Sequence, residues 1–222
     1  MNNYEFINNN NKEGKGGVSV GLRNDIKHMC IEISRETKDY EMLWIKISNN
    51  KNINIRIGNI YAPQESKTKK ETIEKMYNEI ANNKIEAEKT NENFLVVGDF
   101  NCKIGNKIPN NKLEVSEFGQ IFLKTIKEQE MIILNSHNKC KGLWTRIEGN
   151  KKSIIDYIIT SEENEKNVNE IVIDENKTNT PFHIVKNRTI YSDHCSIIVK
   201  MNWYMASKTK EEKYCTVIIR KI

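Results

Sequence analysis

The chain has 222 residues, of which 37% are hydrophobic and 29% charged, and it carries a formal net charge of +5 at pH 7. This length suits one domain with a substantial core, whereas no apolar run is long enough for a membrane span and no secretory signal is visible. Five scattered cysteines without a Cys-x-x-Cys pair argue against a disulfide framework or a zinc ribbon. We therefore expect a monomeric intracellular protein, nuclear or cytoplasmic, that is not secreted, has no membrane partner and tolerates a polyanion.

Apolar and polar residues alternate through much of the first quarter of the chain. The alternation is centred on residues 18–22, 29–33, 43–47 and 53–57. A period of two residues is typical of strands with one buried face. Because short polar segments separate the four strands, we expect them to form an antiparallel meander.

The remainder of the chain mixes helices with further strands. Apolar residues recur at helical spacing over residues 67–89 and 115–129, and residues 94–97 form an apolar run typical of a strand covered on both faces. Further strands are predicted at 131–134, 154–159, 171–173 and 197–201. This order favours an α+β fold in which two packed, mostly antiparallel sheets are flanked by helices.

Two polar residues directly follow the most apolar strand. Asp99 and Asn101 lie two residues apart, so on an extended segment their side chains point the same way. A carboxylate and an amide in that arrangement can hold a water and a phosphate oxygen. The simpler alternative is an Asx turn at the end of a strand.

Three other positions combine polar chemistry with a predicted strand end. Asp156 interrupts an isoleucine-rich strand, and a buried carboxylate needs a partner. His194, in a Ser-Asp-His triplet before the last strand, is the natural partner because a carboxylate fixes the tautomer of a histidine. Tyr61 ends a strand two residues before Pro63. Taken singly, the triplet fits a surface turn and Tyr61 an ordinary strand exit.

In combination, five motifs resemble those of the endonuclease/exonuclease/phosphatase superfamily, which includes DNase I-like nucleases, abasic-site endonucleases and the endonuclease domains of non-LTR retrotransposons. The Trp-Thr pair at 144–145, shortly before the fourth motif, is most similar to the retrotransposon branch. The resemblance extends over about residues 4–201. The motifs are GKGGVSV (14–20), NIYAP (59–63), VVGDFN (96–101), SIIDYI (153–158) and SDH (192–194).

The resemblance implies a catalytic role for five side chains. Asp99 would orient or deprotonate the attacking water, and Asn101 would hold the scissile phosphate. Asp156 would orient His194, which would contact the phosphate as a charge-stabilising group or an acid–base. Tyr61 would donate a hydrogen bond to the phosphate or the leaving oxygen.

The resemblance also implies a metal site and substrate contacts. Asp193 would belong to a site for Mg²⁺ or Mn²⁺, ions that prefer hard oxygen ligands. Gln64, Arg146, Ser153 and Ser192 would contact the substrate or support the site. The partner would be the phosphate backbone of DNA.

The implied fold is the DNase I-like four-layer α/β sandwich, in a domain covering residues 1–201 and followed by a tail at 202–222. The implied function is metal-dependent phosphodiester hydrolysis, specifically DNA nicking of retrotransposon type, with an adjoining reverse transcriptase in the ancestral polyprotein. Two alternatives stay open. One is an inactive remnant with the same fold, and the other is a phosphatase or phosphodiesterase acting on a substrate other than nucleic acid.

Two departures from the family pattern affect the expected activity. The amide that follows the NIYAP segment is Gln64, where the family has asparagine. The family begins with a strand ending in asparagine, a helix, and a strand ending in Gln-Glu, whose glutamate is its chief metal ligand. Neither the asparagine nor the glutamate has a counterpart before Tyr4. We therefore expect an N-terminally truncated domain with weak or no activity, because Mg²⁺ demands a nearly complete octahedral shell.

Overall fold

A computed structural model describes residues 3–9, 17–27, 29–36, 38–48, 53–108, 114–178, 182–185, 188–202 and 220–221. Within these ranges, no helix has both the length and the apolar character needed to cross a membrane. Most of the predicted tail, including its candidate strand at 216–219, lies outside the described residues. The division into residues 1–201 and 202–222 therefore stays a prediction.

Strands dominate the described part of the chain. In chain order the elements are β1 (Tyr4–Asn9), β2 (Val18–Arg23), α1 (Asn24–Lys27), β3 (Cys30–Glu36), β4 (Glu41–Ser48), β5 (Asn54–Tyr61), α2 (Lys70–Lys89), β6 (Asn93–Asp99), α3 (Glu117–Glu128), β7 (Met131–Ile133), β8 (Cys140–Lys141), β9 (Arg146–Glu148), β10 (Lys151–Ser153), β11 (Asp156–Ser161), β12 (Val168–Ile173), β13 (Phe182–Val185), β14 (Arg188–Tyr191), β15 (Ile197–Met201) and β16 (Arg220–Lys221).

A six-stranded sheet forms the centre of the fold, with strand order β3-β4-β5-β6-β11-β7. Its neighbouring strands are antiparallel except β5 and β6, which are parallel and are joined through α2. A parallel pair needs such a crossover, whereas antiparallel neighbours are joined by short turns. The carboxyl ends of β5 and β6 therefore lie at the same edge of the sheet, where the motifs NIYAP and VVGDFN end.

Both faces of the inner strands of this sheet are buried. On one face, Met42 and Trp44 of β4 pack with the apolar sides of α2 and α3. On the other face, Leu43 and Ile45 of the same strand pack against a second layer of sheet. That layer consists of two three-stranded sheets, ordered β1-β2-β16 and β15-β12-β8. The expected α+β sandwich of two packed, mostly antiparallel sheet layers with flanking helices is confirmed.

The predicted four-stranded meander is wrong in one respect. Only β3, β4 and β5 form it, whereas β2 belongs to the second layer and pairs with β1 and β16. The reason is that alternation identifies an apolar face but does not identify the neighbouring strand. The apolar side of β2 packs on the cluster between the two layers.

The apolar residues of β3 were expected to form a buried face, but two of them are exposed. Ile31 is 59% exposed and Ile33 is 38% exposed. Two features explain this exposure: β3 lies at the edge of the sheet, and its register with β4 shifts between Glu32 and Ser34. Such bulges are common at sheet edges, where they disrupt the regular ladder.

A buried carboxylate in the turn after α2 links the end of this helix to the central sheet. Glu92, whose side chain is 1% exposed, accepts hydrogen bonds from Lys46 on β4 at 2.6 Å and from Arg56 on β5 at 2.7 Å. Burial acts to raise the pKa of Glu92, but the hydrogen bonds from these two cations outweigh it and the pKa is lowered. The carboxylate is therefore more stable in its charged form in the folded chain than in the unfolded chain.

Replacing Glu92 by glutamine should lower the free energy of unfolding by about 2 kcal/mol at pH 7, because it leaves two partly buried cations without their counter-charge. The lowered pKa of Glu92 means that its contribution is complete above the usual value of 4.5 and is lost as the pH falls below it. The difference in the free energy of unfolding between the native chain and Glu92→Gln should therefore become smaller in acid. Urea unfolding at several pH values measures it.

Glu86→Gln is the matched control, since Glu86 pairs with Lys89 on the exposed surface of α2. Exposed pairs contribute little, so this change should alter stability by less than about 0.5 kcal/mol. Equal losses in the two variants, or a Glu92→Gln loss that is independent of pH, would contradict the assignment.

Candidate active site

Three of the predicted site residues lie side by side at one edge of the central sheet. Tyr61, at the end of β5, is opposite Asp99, at the end of β6. Asp99 is in turn opposite Asp156, the first residue of β11. The register of three neighbouring strands thus places a phenol and two carboxylates in a row, although 95 positions separate Tyr61 from Asp156 along the chain.

Gly98 allows the strands to approach one another next to this row. Its φ of +150° is a conformation that L side chains rarely adopt. A Cβ atom at this position would lie 1.9 Å from the carbonyl oxygen of Ile60 on the neighbouring strand. A glycine is therefore required immediately before Asp99, which accounts for the glycine in the VVGDFN motif.

His194 reaches the row from the second layer, where it precedes β15. Its Nδ1 lies 2.9 Å from Oδ1 and 3.1 Å from Oδ2 of Asp156, which is the contact predicted from the sequence. Its Nε2 lies 3.8 Å from Asp99 Oδ2 and 4.0 Å from Asp193 Oδ1. With Nδ1 held by Asp156, Nε2 is the ring atom directed toward the other two carboxylates.

The surrounding charges favour the protonated form of this imidazole. Burial by itself lowers the pKa of His194, but the hydrogen bond and charge of Asp156 outweigh it, and the charges of Asp99 and Asp193 add to the effect. The pKa is consequently raised above its usual value of 6.5. A histidine of this kind can stabilise a negatively charged group or transfer a proton near neutral pH.

Asp99 and Asn101 form the Asx turn that was the simpler alternative. The backbone N–H of Asn101 donates to Asp99 Oδ1 at 2.9 Å, and Asn101 has a φ of 46°, in the left-handed region. Its side-chain amide donates to the carbonyl oxygen of Ala62 at 2.7 Å. The two side chains are therefore not parallel as on an extended strand, yet Asn101 still lines the groove beside the row.

Asp193, the predicted metal ligand, is held by a cation. Arg146 Nε donates to Asp193 Oδ2 at 2.6 Å, and another guanidinium nitrogen, Nη2, donates to Glu148 Oε2 at 2.9 Å. Burial acts to raise the pKa of Asp193, but the hydrogen bond from Arg146 and the charge of His194 outweigh it and lower the pKa. Arg146 thus lies next to the row, at the start of the hairpin formed by β9 and β10.

An open groove runs along this hairpin, and Asn101 and Ile155 line it where it comes near the row. Gln64, Asn101, Arg146 and Ser153 all line it, so four predicted residues share one surface. Ser192 is placed differently: its hydroxyl accepts a hydrogen bond from the N–H of His194 at 3.1 Å and so supports the loop. The groove has more basic than acidic lining residues, namely Lys103, Arg146, Lys151 and Lys152 against Glu65 and Glu148.

Two buried polar residues brace the site, and neither was singled out for this role from the sequence. Thr145, which is fully buried, accepts hydrogen bonds through Oγ1 from the N–H groups of Ile155 and Asp156, while its carbonyl accepts one from Cys195. Asn135 donates to the carbonyl of Asp156 at 3.1 Å. Thr145 belongs to the Trp-Thr pair noted in the sequence, which could have drawn attention to it, whereas no sequence feature pointed to Asn135.

The same side chains form a group that suits a cation. Ligand atoms of Asp99, Asp156 and His194 all lie within 4.8 Å of one another. Asp193 adds a third carboxylate near His194. Carboxylate oxygens are the hard donors that divalent cations such as Mg²⁺ prefer, so the donor chemistry fits the predicted metal.

Replacing Thr145 by valine should lower the free energy of unfolding by about 2 kcal/mol, because two buried N–H groups next to Asp156 lose their acceptor. Chemical denaturation of the native chain and the variant measures the difference. The matched control is Thr125→Val. The Thr125 hydroxyl acts as a donor, to the carbonyl of Ile121 within α3, whereas the Thr145 hydroxyl acts as the acceptor for two backbone N–H groups. A loss of the same size in the control would contradict a specific bracing role for Thr145.

Comparisons with known proteins agree with this arrangement. A family described as endonuclease-reverse transcriptase matches residues 55–198, which include the row, the hairpin and His194. The comparison with curated protein sequences finds no match.

Among solved structures, the fold is similar to the endonuclease domain of TRAS1, a telomere-specific non-LTR retrotransposon, with 16% identity, a TM-score of 0.65, and coverage of 91% of this chain and 82% of that one. It is also similar to the 3′ phosphatase NExo from Neisseria bound to a product DNA hairpin, with 14% identity, a TM-score of 0.62 and coverage of 91% and 81%. A third similar structure is the mannosyl-6-phosphatase Bt3783 of Bacteroides thetaiotaomicron, with 14% identity, a TM-score of 0.57, and coverage of 100% of this chain and 78% of that one.

At these identities the structural similarities establish the DNase I-like fold, whereas the family match extends over more than half of the chain. The fold and the matched family are those of phosphoester hydrolases of nuclease and phosphatase type. The chain therefore belongs to the endonuclease-reverse transcriptase family, within the endonuclease/exonuclease/phosphatase superfamily.

Proposed function

We propose that the protein is a metal-dependent phosphodiester hydrolase that nicks DNA, as an endonuclease of retrotransposon type. The observation that carries the proposal is the contact between His194 and Asp156 beside Asp99, near a groove with a basic excess. Family membership and the similarity to the TRAS1 endonuclease domain support it. The family description supports an adjoining reverse transcriptase in the ancestral polyprotein.

The proposed chemistry divides the work between the two ends of the His194 ring. Asp156 accepts a hydrogen bond from Nδ1–H and keeps the ring oriented, while Nε2 faces the site and stabilises charge on the phosphate or transfers a proton. Asp99, beside Nε2, orients or deprotonates the attacking water. Tyr61 and Asn101 complete the site as phosphate contacts, Tyr61 from the end of β5 and Asn101 from the turn.

Asp99 and Asp193 are the residues that we propose to hold Mg²⁺ or Mn²⁺. The bound ion would neutralise negative charge on the phosphoryl oxygens. Arg146 already neutralises part of Asp193, so the guanidinium and a metal ion compete for the same carboxylate. This competition supports weak metal binding and low activity as a further part of the proposal.

DNA is the proposed substrate because the groove offers several cations to a phosphate backbone. Lys151 and Lys152 on β10 are exposed, and Arg146 lies between them and the row. The Neisseria 3′ phosphatase, which has a similar fold, is bound to a product DNA hairpin, and this supports DNA as a ligand for a groove of this kind. Gln64 and Ser153 line the same groove and would add uncharged hydrogen bonds to the backbone.

Nicking of supercoiled plasmid, in Mg²⁺ and separately in Mn²⁺, tests the proposed activity. The native chain should convert plasmid to the open-circular form slowly, and His194→Ala should reduce the rate by about 100-fold or more, because it removes the charge-stabilising or proton-transfer group. His137→Ala is the matched control. His137 is partly buried and pairs with Glu165, outside the groove residues, so this variant should keep the native rate.

Each result has a definite meaning. Nicking that survives His194→Ala would contradict the assigned site, and no nicking by the native chain in either metal would contradict the activity. Release of phosphate from sugar or lipid phosphomonoesters, without any nicking, would favour the phosphatase alternative.

The DNA interface predicts a salt-dependent contribution from the hairpin lysines. Replacing both Lys151 and Lys152 by alanine should weaken binding to a short duplex, measured without divalent metal, and reduce the slope of log K against log salt by about 1 to 2. The control replaces Lys124 and Lys127, which lie on the exposed side of α3. An equal change in slope from the control pair would mean that total charge, and not the groove, determines binding.

A further inference from the structure

A loop at residues 174–178, directly after β12, folds back toward the site. Its turn is closed by a hydrogen bond from the N–H of Lys177 to the carbonyl of Asp174 at 3.0 Å and another from the Thr178 hydroxyl to Asp174 Oδ1 at 2.9 Å. Lys177 has a φ of 57°, in the left-handed region that is uncommon for residues other than glycine. The contacts of its side chain offset the cost of this conformation.

The ammonium group of Lys177 joins two backbone segments that carry site residues. Its Nζ donates to the carbonyl of Ser192 at 2.7 Å and to the carbonyl of Ile147 at 3.2 Å. Ser192 immediately precedes Asp193 and His194, and Ile147 immediately follows Arg146.

These two carbonyls lie where regular strand pairing stops. Arg146 and His194 form an isolated antiparallel bridge, and the N–H of Ile147 donates to the carbonyl of Asp193 at 2.8 Å. No strand ladder continues from this bridge in the described residues around it. The ammonium therefore takes the place of backbone donors, and its charge makes the two hydrogen bonds stronger than neutral ones.

We infer that Lys177 is a positioning residue for the reaction proposed above. It fixes the segment at 192–194 against β9, and so sets the distance from His194 to Asp156 and from Arg146 to Asp193. The role rests on the proposed function, since it concerns the geometry of that same site.

Kinetics of plasmid nicking test this role through three variants. Lys177→Met should lower kcat by about 10-fold to 100-fold with KM changed less than two-fold, because a displaced catalytic group slows the chemical step but not phosphate binding. Lys177→Arg should restore at least half of the lost rate, since a guanidinium can also donate to two carbonyls. Lys139→Met is the matched control: its ammonium also donates to a backbone carbonyl, that of Val168, and the variant should keep the native kcat.

Amide hydrogen exchange tests the same inference without relying on activity. Lys177→Met should speed exchange at the N–H groups of Ile147 and Cys195, which bridge the two segments, while exchange at Val97 in the central sheet stays unchanged. Native kcat in Lys177→Met, an equal loss in Lys139→Met, or unchanged exchange at both amides would overturn the inference. If the native chain does not nick plasmid, the proposed function is wrong, and exchange alone then decides whether Lys177 holds these segments.

Discussion

The pairing register of β5, β6 and β11 is the constraint on which the rest of the candidate site depends. It places Tyr61, Asp99 and Asp156 opposite one another, and a slip of one residue would turn these side chains to the other face of the sheet. Burial of both faces fixes the register, because alternate residues belong to different apolar clusters. This register also requires Gly98, since a side chain at that position would collide with Ile60.

Packing of the second layer on this sheet brings the histidine to the row. His194 precedes β15, whose apolar residues share one cluster with those of β6 and β11. Thr145 connects the two layers through its hydroxyl, which accepts from the Asp156 N–H, and through its carbonyl, which accepts from Cys195. Hydrophobic burial therefore supplies the attraction between the layers, and a few buried hydrogen bonds determine how they align.

The charges of the site balance one another only as a group. Asp99 and Asp156 are directly opposite on neighbouring strands, an arrangement that is destabilising for like charges alone. His194 between them offsets the repulsion, and the raised pKa of its imidazole follows from the same contacts. Arg146 likewise offsets the negative charge of Asp193. Such mutual dependence is typical of sites that act on phosphate, where negative charge must be accommodated in a confined space.

The sequence by itself determined the α+β class, most strands and both long helices, because hydrophobic periodicity reports which faces are buried. It also identified Asp156 and His194 as partners, since a carboxylate in an apolar strand requires one. It did not determine that β2 leaves the meander, that Ile31 is exposed, or that Asn101 closes a turn on Asp99, because each depends on which segment becomes the neighbour. Lys177 carried no signal at all: its ammonium contacts main-chain carbonyls, and only the tertiary structure brings those carbonyls to it.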